Sequence, residues 1–185
     1  MKKLVLSFSL LLGIAVCSMA QIGKGRVMVS GSSNMSVLFG STKWVYDGKE
    51  TSSNSTSGFS LTPQVSYFFT NNLAVGAAFN LEHQNSDDND GTSFFIGPVA
   101  RYYFAGEKIK PFGEAMIGFG SADWGNKYNV FGLNLNAGAS YFFNDHFALD
   151  AALGYHHRGY TDSDDSKRKQ KENNFGLMVS FTVLF

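Results

Sequence analysis

Four charged residues of this chain stand inside otherwise apolar stretches: Arg26, Arg101, Glu114 and Asp150. A charge withdrawn from water needs an opposite charge or a hydrogen-bonding partner, because desolvation alone costs several kcal/mol. Two chemistries suit such a set: a gate or proton path through a polar interior, or ion pairs that fill that interior. Arg101 and Glu114 lie on either side of Ala105-Gly106-Glu107-Lys108, so a hairpin there sets them directly opposite each other.

Other clusters point to weaker chemistry. His156 and His157 precede Arg158, Asp162, Asp164 and Asp165. A histidine base needs its nucleophile within hydrogen-bond reach. In a strand the two rings point to opposite faces, no serine lies at short spacing, and pairing sets Asn134 opposite His156. These histidines read as rim residues. Ser86-Asp87-Asp88-Asn89-Asp90-Gly91 resembles the start of a calcium loop, but Gly97 stands where an acidic ligand is required, so a hydrated acidic loop is expected and no metal. The run Lys167-Arg168-Lys169-Gln170-Lys171 reads as a solvated charge block with an affinity for phosphate.

The elements that must position these residues are strands. Apolar residues recur at every second position in eight segments, which is the period of a β-strand with one apolar face. The segments run near Gly25 to Phe39, Ser57 to Phe69, Leu73 to His83, Thr92 to Phe104, Lys110 to Ser121, Asn129 to Phe143, Phe147 to His157, and Asn173 to Phe185. In the last of them Phe175, Val179, Phe181, Val183 and Phe185 share one phase, with Gly176, Ser180 and Thr182 on the other. Each segment has about the 9–11 residues that a tilted strand needs to cross a bilayer. Arg26, Arg101, Glu114 and Asp150 all take the small or polar phase. Short turns (Thr70-Asn71-Asn72, Ala105 to Lys108, Asn144-Asp145-His146) alternate with long polar stretches: Gly40 to Thr56, Gln84 to Gly91, Ala122 to Tyr128 and Arg158 to Asn173. Pro63 and Pro98 fall inside strands and predict a bulge or a lost ladder bond.

Lys2 and Lys3, the apolar run from Leu4 to Val16 and Ser18-Met19-Ala20 form an expected export signal over residues 1–20. Residues 21–185 then form one domain. Cys17, the single cysteine, falls within the signal, so no disulfide or thiol chemistry is expected beyond it. Fifteen basic residues balance fifteen acidic ones, which gives no global field for nucleic acid. The segments after the signal hold no apolar run long enough for a membrane-crossing helix.

Two hairpins echo each other: Ser66-Tyr67-Phe68-Phe69, turn, Leu73-Ala74-Val75, and Ser140-Tyr141-Phe142-Phe143, turn, Phe147-Ala148-Leu149. With the strand–turn rhythm and terminal Phe185, they make the chain similar to the small outer-membrane barrels of the OmpA/OmpX type, within the broad outer-membrane β-barrel domain family. The resemblance implies an all-β fold, an eight-stranded antiparallel transmembrane β-barrel in a Gram-negative outer membrane. The expected partners are outer-membrane lipid and lipopolysaccharide, the barrel-assembly machinery acting on the C-terminal strand, and an extracellular ligand of unknown kind; no cofactor and no nucleic acid are expected. No peptidoglycan-binding domain is expected after Phe185. Phe175, Val179, Phe181, Val183 and Phe185 would form the assembly signal. An eight-stranded interior is just wide enough for side chains, so the four charges read as a plug. The expected role is structural or surface-interacting, adhesin-like, without catalysis. The alternatives are a narrow small-solute pore and, behind it, a lipid A-modifying enzyme.

Overall fold

A strand with one apolar and one polar face is satisfied only when both of its edges are paired, and closure into a barrel removes the edges altogether. A computed structural model describes residues 22–34, 39–46, 49–51, 57–86, 89–123, 126–163 and 169–185. The export signal expected over residues 1–20, with Cys17, and the strand residues Met35 and Val37 lie outside the described residues.

The strands are β1 (Val27–Asn34), β2 (Phe39–Tyr46), β3 (Lys49–Thr51), β4 (Ser57–Phe68), β5 (Leu73–Ser86), β6 (Asn89–Tyr103), β7 (Ile109–Asp123), β8 (Lys127–Phe142), β9 (Phe147–Asp162) and β10 (Lys169–Leu184). From β4 to β10 each strand pairs antiparallel with the next. β1 pairs with β4 on one side and β10 on the other, and the sheet closes as an eight-stranded antiparallel barrel. β2 continues along β10 above β1, and β3 folds back on β2.

Two expectations change. The stretch from Gly40 to Thr56 was expected to be a loop, but Phe39–Tyr46 pairs with β10 and Lys49–Thr51 pairs with β2. The strands also run beyond the span that a bilayer needs: β8, β9 and β10 have 16 residues each. A ladder satisfies backbone N–H and C=O groups above the apolar zone as well as inside it. Polar composition there marks the end of the apolar zone and not the end of the strand.

Side chains alternate as the sequence requires. On β8 Asn134, Asn136 and Ser140 are buried, whereas Phe131, Leu135 and Tyr141 are exposed. On β9 and β10 the outward apolar band spans Phe147 to Tyr155 and Phe175 to Phe185; Asn173, Lys171 and Lys169 take the outward positions above it. At the turn end three outward aromatic pairs form a girdle: Tyr67–Phe69, Tyr102–Phe104 and Tyr141–Phe143, with ring centroids 5.1, 5.2 and 5.2 Å apart and edges toward faces. The two echoing hairpins share one turn chemistry. Thr70 Oγ1 accepts from the N–H groups of Asn72 and Leu73, and Asn144 Oδ1 accepts from those of His146 and Phe147.

The prolines cost ladder bonds but do not shift register. β4 pairs with β5 at Leu61–Leu81 and resumes at Gln64–Ala78, which skips Pro63. β6 pairs with β7 at Ile96–Phe119 and resumes at Val99–Met116, which skips Pro98. Both registers are unchanged across the gap, so neither proline sits in a bulge.

Candidate functional site: the barrel interior

The inward residues stack in layers from the turn end to the loop end. The lowest layer packs Met28, Phe68, Tyr103 and Phe112 with Ala74, Ala152, Met178 and Leu184. Above it lies the charged layer. Arg101 on β6 and Glu114 on β7 are register partners, with Arg101 Nε donating to Glu114 Oε2 at 2.7 Å. The same guanidinium crosses the lumen to β9, where Nη1 donates to Asp150 Oδ2 at 2.6 Å. Ser180 Oγ and Thr182 Oγ1 on β10 donate to that same Asp150 oxygen, at 3.1 and 2.8 Å.

The Arg101 side chain is 1% exposed. Its guanidinium carbon lies 4.3 Å from the centroid of the Phe112 ring and Nη1 donates to Tyr103 Oη at 3.2 Å. One cation thus holds two carboxylates and stacks on an aromatic floor. Arg26, expected in the same network, sits nearer the turn end. Its Nη1 donates to the Asp145 carbonyl at 3.0 Å, while Arg101, Glu114 and Asp150 are joined by ion pairs with one another. Among the described residues, Ser140 Oγ and Asp150 Oδ1, on buried register partners, have no hydrogen-bond partner.

A further polar chain rises from Glu114. Asn136 Nδ2 donates to Glu114 Oε1 at 2.9 Å, and His156 Nε2 lies 3.3 Å from Asn136 Oδ1. Because that amide oxygen only accepts, the His156 proton is assigned to Nε2. His157 points the other way, outside the wall, with Nδ1 2.8 Å from Asn173 Oδ1. Neither histidine meets a serine or a carboxylate within the hydrogen bonds of the described residues, so the pair holds no nucleophile–base arrangement there. Gly154 makes room for this chain: a Cβ there would stand 2.5 Å from Asn136 Oδ1 and 2.7 Å from His156 Nε2.

Over the charged layer is a cavity of about 20 Å³, bordered by Gln64, Met116, Asn134, His156 and Met178. A water needs roughly 10–15 Å³ by this measure, so the space suits one water. Arg158 roofs it. Its Nη1 donates to Asn134 Oδ1 at 2.6 Å, and its guanidinium carbon lies 4.3 Å from the centroid of the Phe95 ring. Gly132 leaves the space for this stack, since a Cβ there would meet Phe95 at 2.6 Å and Arg158 Nη1 at 2.9 Å.

Above the apolar band, Gln170 Nε2 and Tyr160 Oη donate to Glu172 at 3.0 and 3.4 Å. Burial, and then repulsion from Glu82, pushes the Glu172 carboxyl up to about 7; these two hydrogen bonds and the Arg158 charge oppose the rise.

The sequence reading missed Arg158, Tyr160, Gln170 and Glu172 as inward residues because it placed them in a loop. A signal was present: Arg158, Tyr160 and Asp162 alternate with Gly159 and Thr161, as Gln170 and Glu172 do with lysines. In the stretch that resembles a calcium loop, Asp87 and Asp88 lie outside the described residues. Among the described residues no group of three acidic, histidine or cysteine side chains is placed to hold a metal. The outward C-terminal residues Phe175, Phe181 and Phe185 are exposed at 65%, 67% and 39%, and β10 closes the barrel against β1 with Leu184 opposite Met28.

The family model described as outer membrane protein beta-barrel domain matches residues 6–182. No curated protein matches the chain. Among solved structures the fold is similar to that of Neisserial surface protein A, at 19% identity and a TM-score of 0.62, covering 86% of this chain and 99% of that one. It is also similar to the outer membrane protein OprG of Pseudomonas aeruginosa, at 15% identity and a TM-score of 0.54, covering 91% and 99%.

Proposed function

The chain belongs to the outer membrane protein β-barrel domain family, and on that premise we propose that it is a sealed membrane anchor that presents its loop end for surface interaction. It is an outer-membrane protein whose exposed aromatic and aliphatic band faces lipid. One observation carries the reading. Arg101 bridges Glu114 and Asp150 across the lumen, with Phe68, Tyr103 and Phe112 packed beneath, and Arg158 on Phe95 forms a second closure above. An interior filled in two layers serves as a rigid support, and the work of binding falls to the loops.

The pore reading would need both closures to open, and the space between them suits one water. The lipid-modifying reading would need a base beside a nucleophile, and His156 is engaged by Asn136 and His157 by Asn173. The name of Neisserial surface protein A accords with a surface role. The outward residues Phe175, Val179, Phe181, Val183 and Phe185 of β10 form the assembly signal in this reading, read by the barrel-assembly machinery. The test is conductance in planar bilayers beside binding of host-cell or matrix extracts to the folded barrel in vesicles. Binding without conductance is expected. Steady unit conductance that Arg101→Met enlarges would overturn the sealed anchor in favour of a pore. Altered lipid A mass spectra in cells that carry the protein would overturn the non-catalytic part.

A further inference from the structure

The charged layer of the lumen does not balance. Arg101 brings one positive charge against the two carboxylates Glu114 and Asp150, and the three side chains are 1%, 6% and 0% exposed. The other inward cations stand elsewhere. Arg26 lies nearer the turn end, beside Asp145, and Arg158 sits one layer higher, within the fields of Glu82 and Glu172. A buried surplus charge is strongly unfavourable unless an opposite charge sits against it.

The surplus faces a space lined by oxygen. The cavity of about 20 Å³ over this layer is bordered by Glu114 itself and by Ser30, Thr62, Gln64 and Ser180. Glu114 Oε1 and Oε2 accept from Asn136 and Arg101, and each carboxylate oxygen has a lone pair left for a second partner. Gln64 is 5% exposed, and its Nε2 donates to Ser66 Oγ at 3.2 Å. No hydrogen bond among the described residues reaches its Oε1, so a buried acceptor without a donor stands at the edge of the cavity. Glu114 is on β7, Gln64 on β4 and Ser30 on β1, so these oxygens converge from different walls. A carboxylate, an amide oxygen and hydroxyls are the ligands of a hard cation.

We propose that this cavity is a resident sodium site, with Glu114, Gln64 Oε1 and the Ser30 hydroxyl as ligands and the ion's charge closing the balance of the Arg101 layer. The surplus is a single unit, which selects a monovalent ion over calcium or magnesium. Space for one water is space for sodium, a cation of similar size, and is tight for potassium. Water alone fills the volume and leaves the surplus. A proton on a carboxylate lifts the surplus and leaves the volume. One sodium ion does both. The site rests on the charged layer alone and not on the surface role of the loops.

The test refolds the full barrel into detergent micelles in sodium, potassium or N-methylglucamine chloride at a single ionic strength, and reads the folding equilibrium by urea titration. A ligand held only by the folded state raises the folding constant about tenfold for each tenfold rise in its concentration past half-saturation. Sodium should give that slope, potassium a weaker one and N-methylglucamine none. Gln64→Leu, Ser30→Ala and Glu114→Gln should each flatten the sodium slope, while Lys127→Gln, on the outer rim, keeps it. Heat-modifiable gel mobility verifies that each variant folds, and Ser30→Ala serves if the other two do not. Crystals grown with thallium(I) in place of sodium should show an anomalous peak between Glu114 and Gln64. Equal slopes in the three salts, a sodium slope that survives all three substitutions, or no thallium peak in the cavity would overturn the site. So would an infrared band of a buried carboxylic acid that persists in saturating sodium, since a proton then closes the balance.

Discussion

Arg101 and Asp150 lie 49 residues apart in sequence and meet across the lumen at 2.6 Å, so a single contact ties β6 to the far wall at β9. With Glu114 at 2.7 Å on the neighbouring strand, one guanidinium is shared by two carboxylates. The arrangement is asymmetric: either acid can be lost and the cation is still paired, but loss of the cation leaves both acids buried.

That asymmetry orders the mutational costs. Arg101→Met should destabilise the folded barrel more than Glu114→Gln or Asp150→Asn, by about 3–5 kcal/mol for breaking a buried pair. The Arg101→Met/Glu114→Gln double variant should be less unstable than the sum of the singles, because one stranded charge is removed with the other. Folding titrations in detergent or vesicles give the coupling energy directly. Strictly additive costs would contradict the contact.

Glu172 should make the loop end sensitive to pH. Its carboxyl is raised from 4.5 to about 7 by burial and by Glu82, so the folded state takes up the proton more readily than the unfolded one. The stability this gives is fully present below pH 4.5 and is lost as the pH rises through about 7. Its size is at most about 3 kcal/mol, at 1.36 kcal/mol for each unit of pKa. Amide protection factors in the upper parts of β9 and β10, which correct for the intrinsic pH dependence of exchange, should therefore be higher at pH 5 than at pH 8. Glu172→Gln should flatten the difference, and an unchanged slope in that variant would place the titration elsewhere.

The outward phenylalanines of β10 should be needed for assembly. Phe181 and Phe185 are both exposed on the lipid side, at 67% and 39%. Their joint replacement by Asp puts charge into lipid and removes the apolar phase of the strand that closes on β1. The folded, heat-modifiable form should be lost from outer-membrane fractions, and the chain should accumulate in the periplasm. Normal membrane yield would show that this register is dispensable.

Much of this architecture was legible in the period-2 pattern. Alternation alone sets Arg101, Glu114 and Asp150 on one face, and the turn at Ala105 to Lys108 alone sets Arg101 opposite Glu114. The reach of Arg101 to Asp150 was not legible, because it depends on the curvature of the barrel and on side-chain length rather than on spacing. The upper layer of Arg158, Tyr160 and Glu172 was hidden for a different reason. Outward lysines replace outward apolar residues there, so the period persists but its hydrophobic contrast disappears. Arg26 shows the limit of phase: it faces inward, yet its position near the turn end brings it to Asp145, whose carbonyl accepts from Nη1.

The closing seam has a mechanical meaning. β10 is held on one side by β9 alone, from Thr161–Lys169 to Phe147–Val183, and on the other by β1 and then β2. A lateral load on that seam is therefore shared between two strands, while the wall tied by Arg101 and Asp150 holds as one plate.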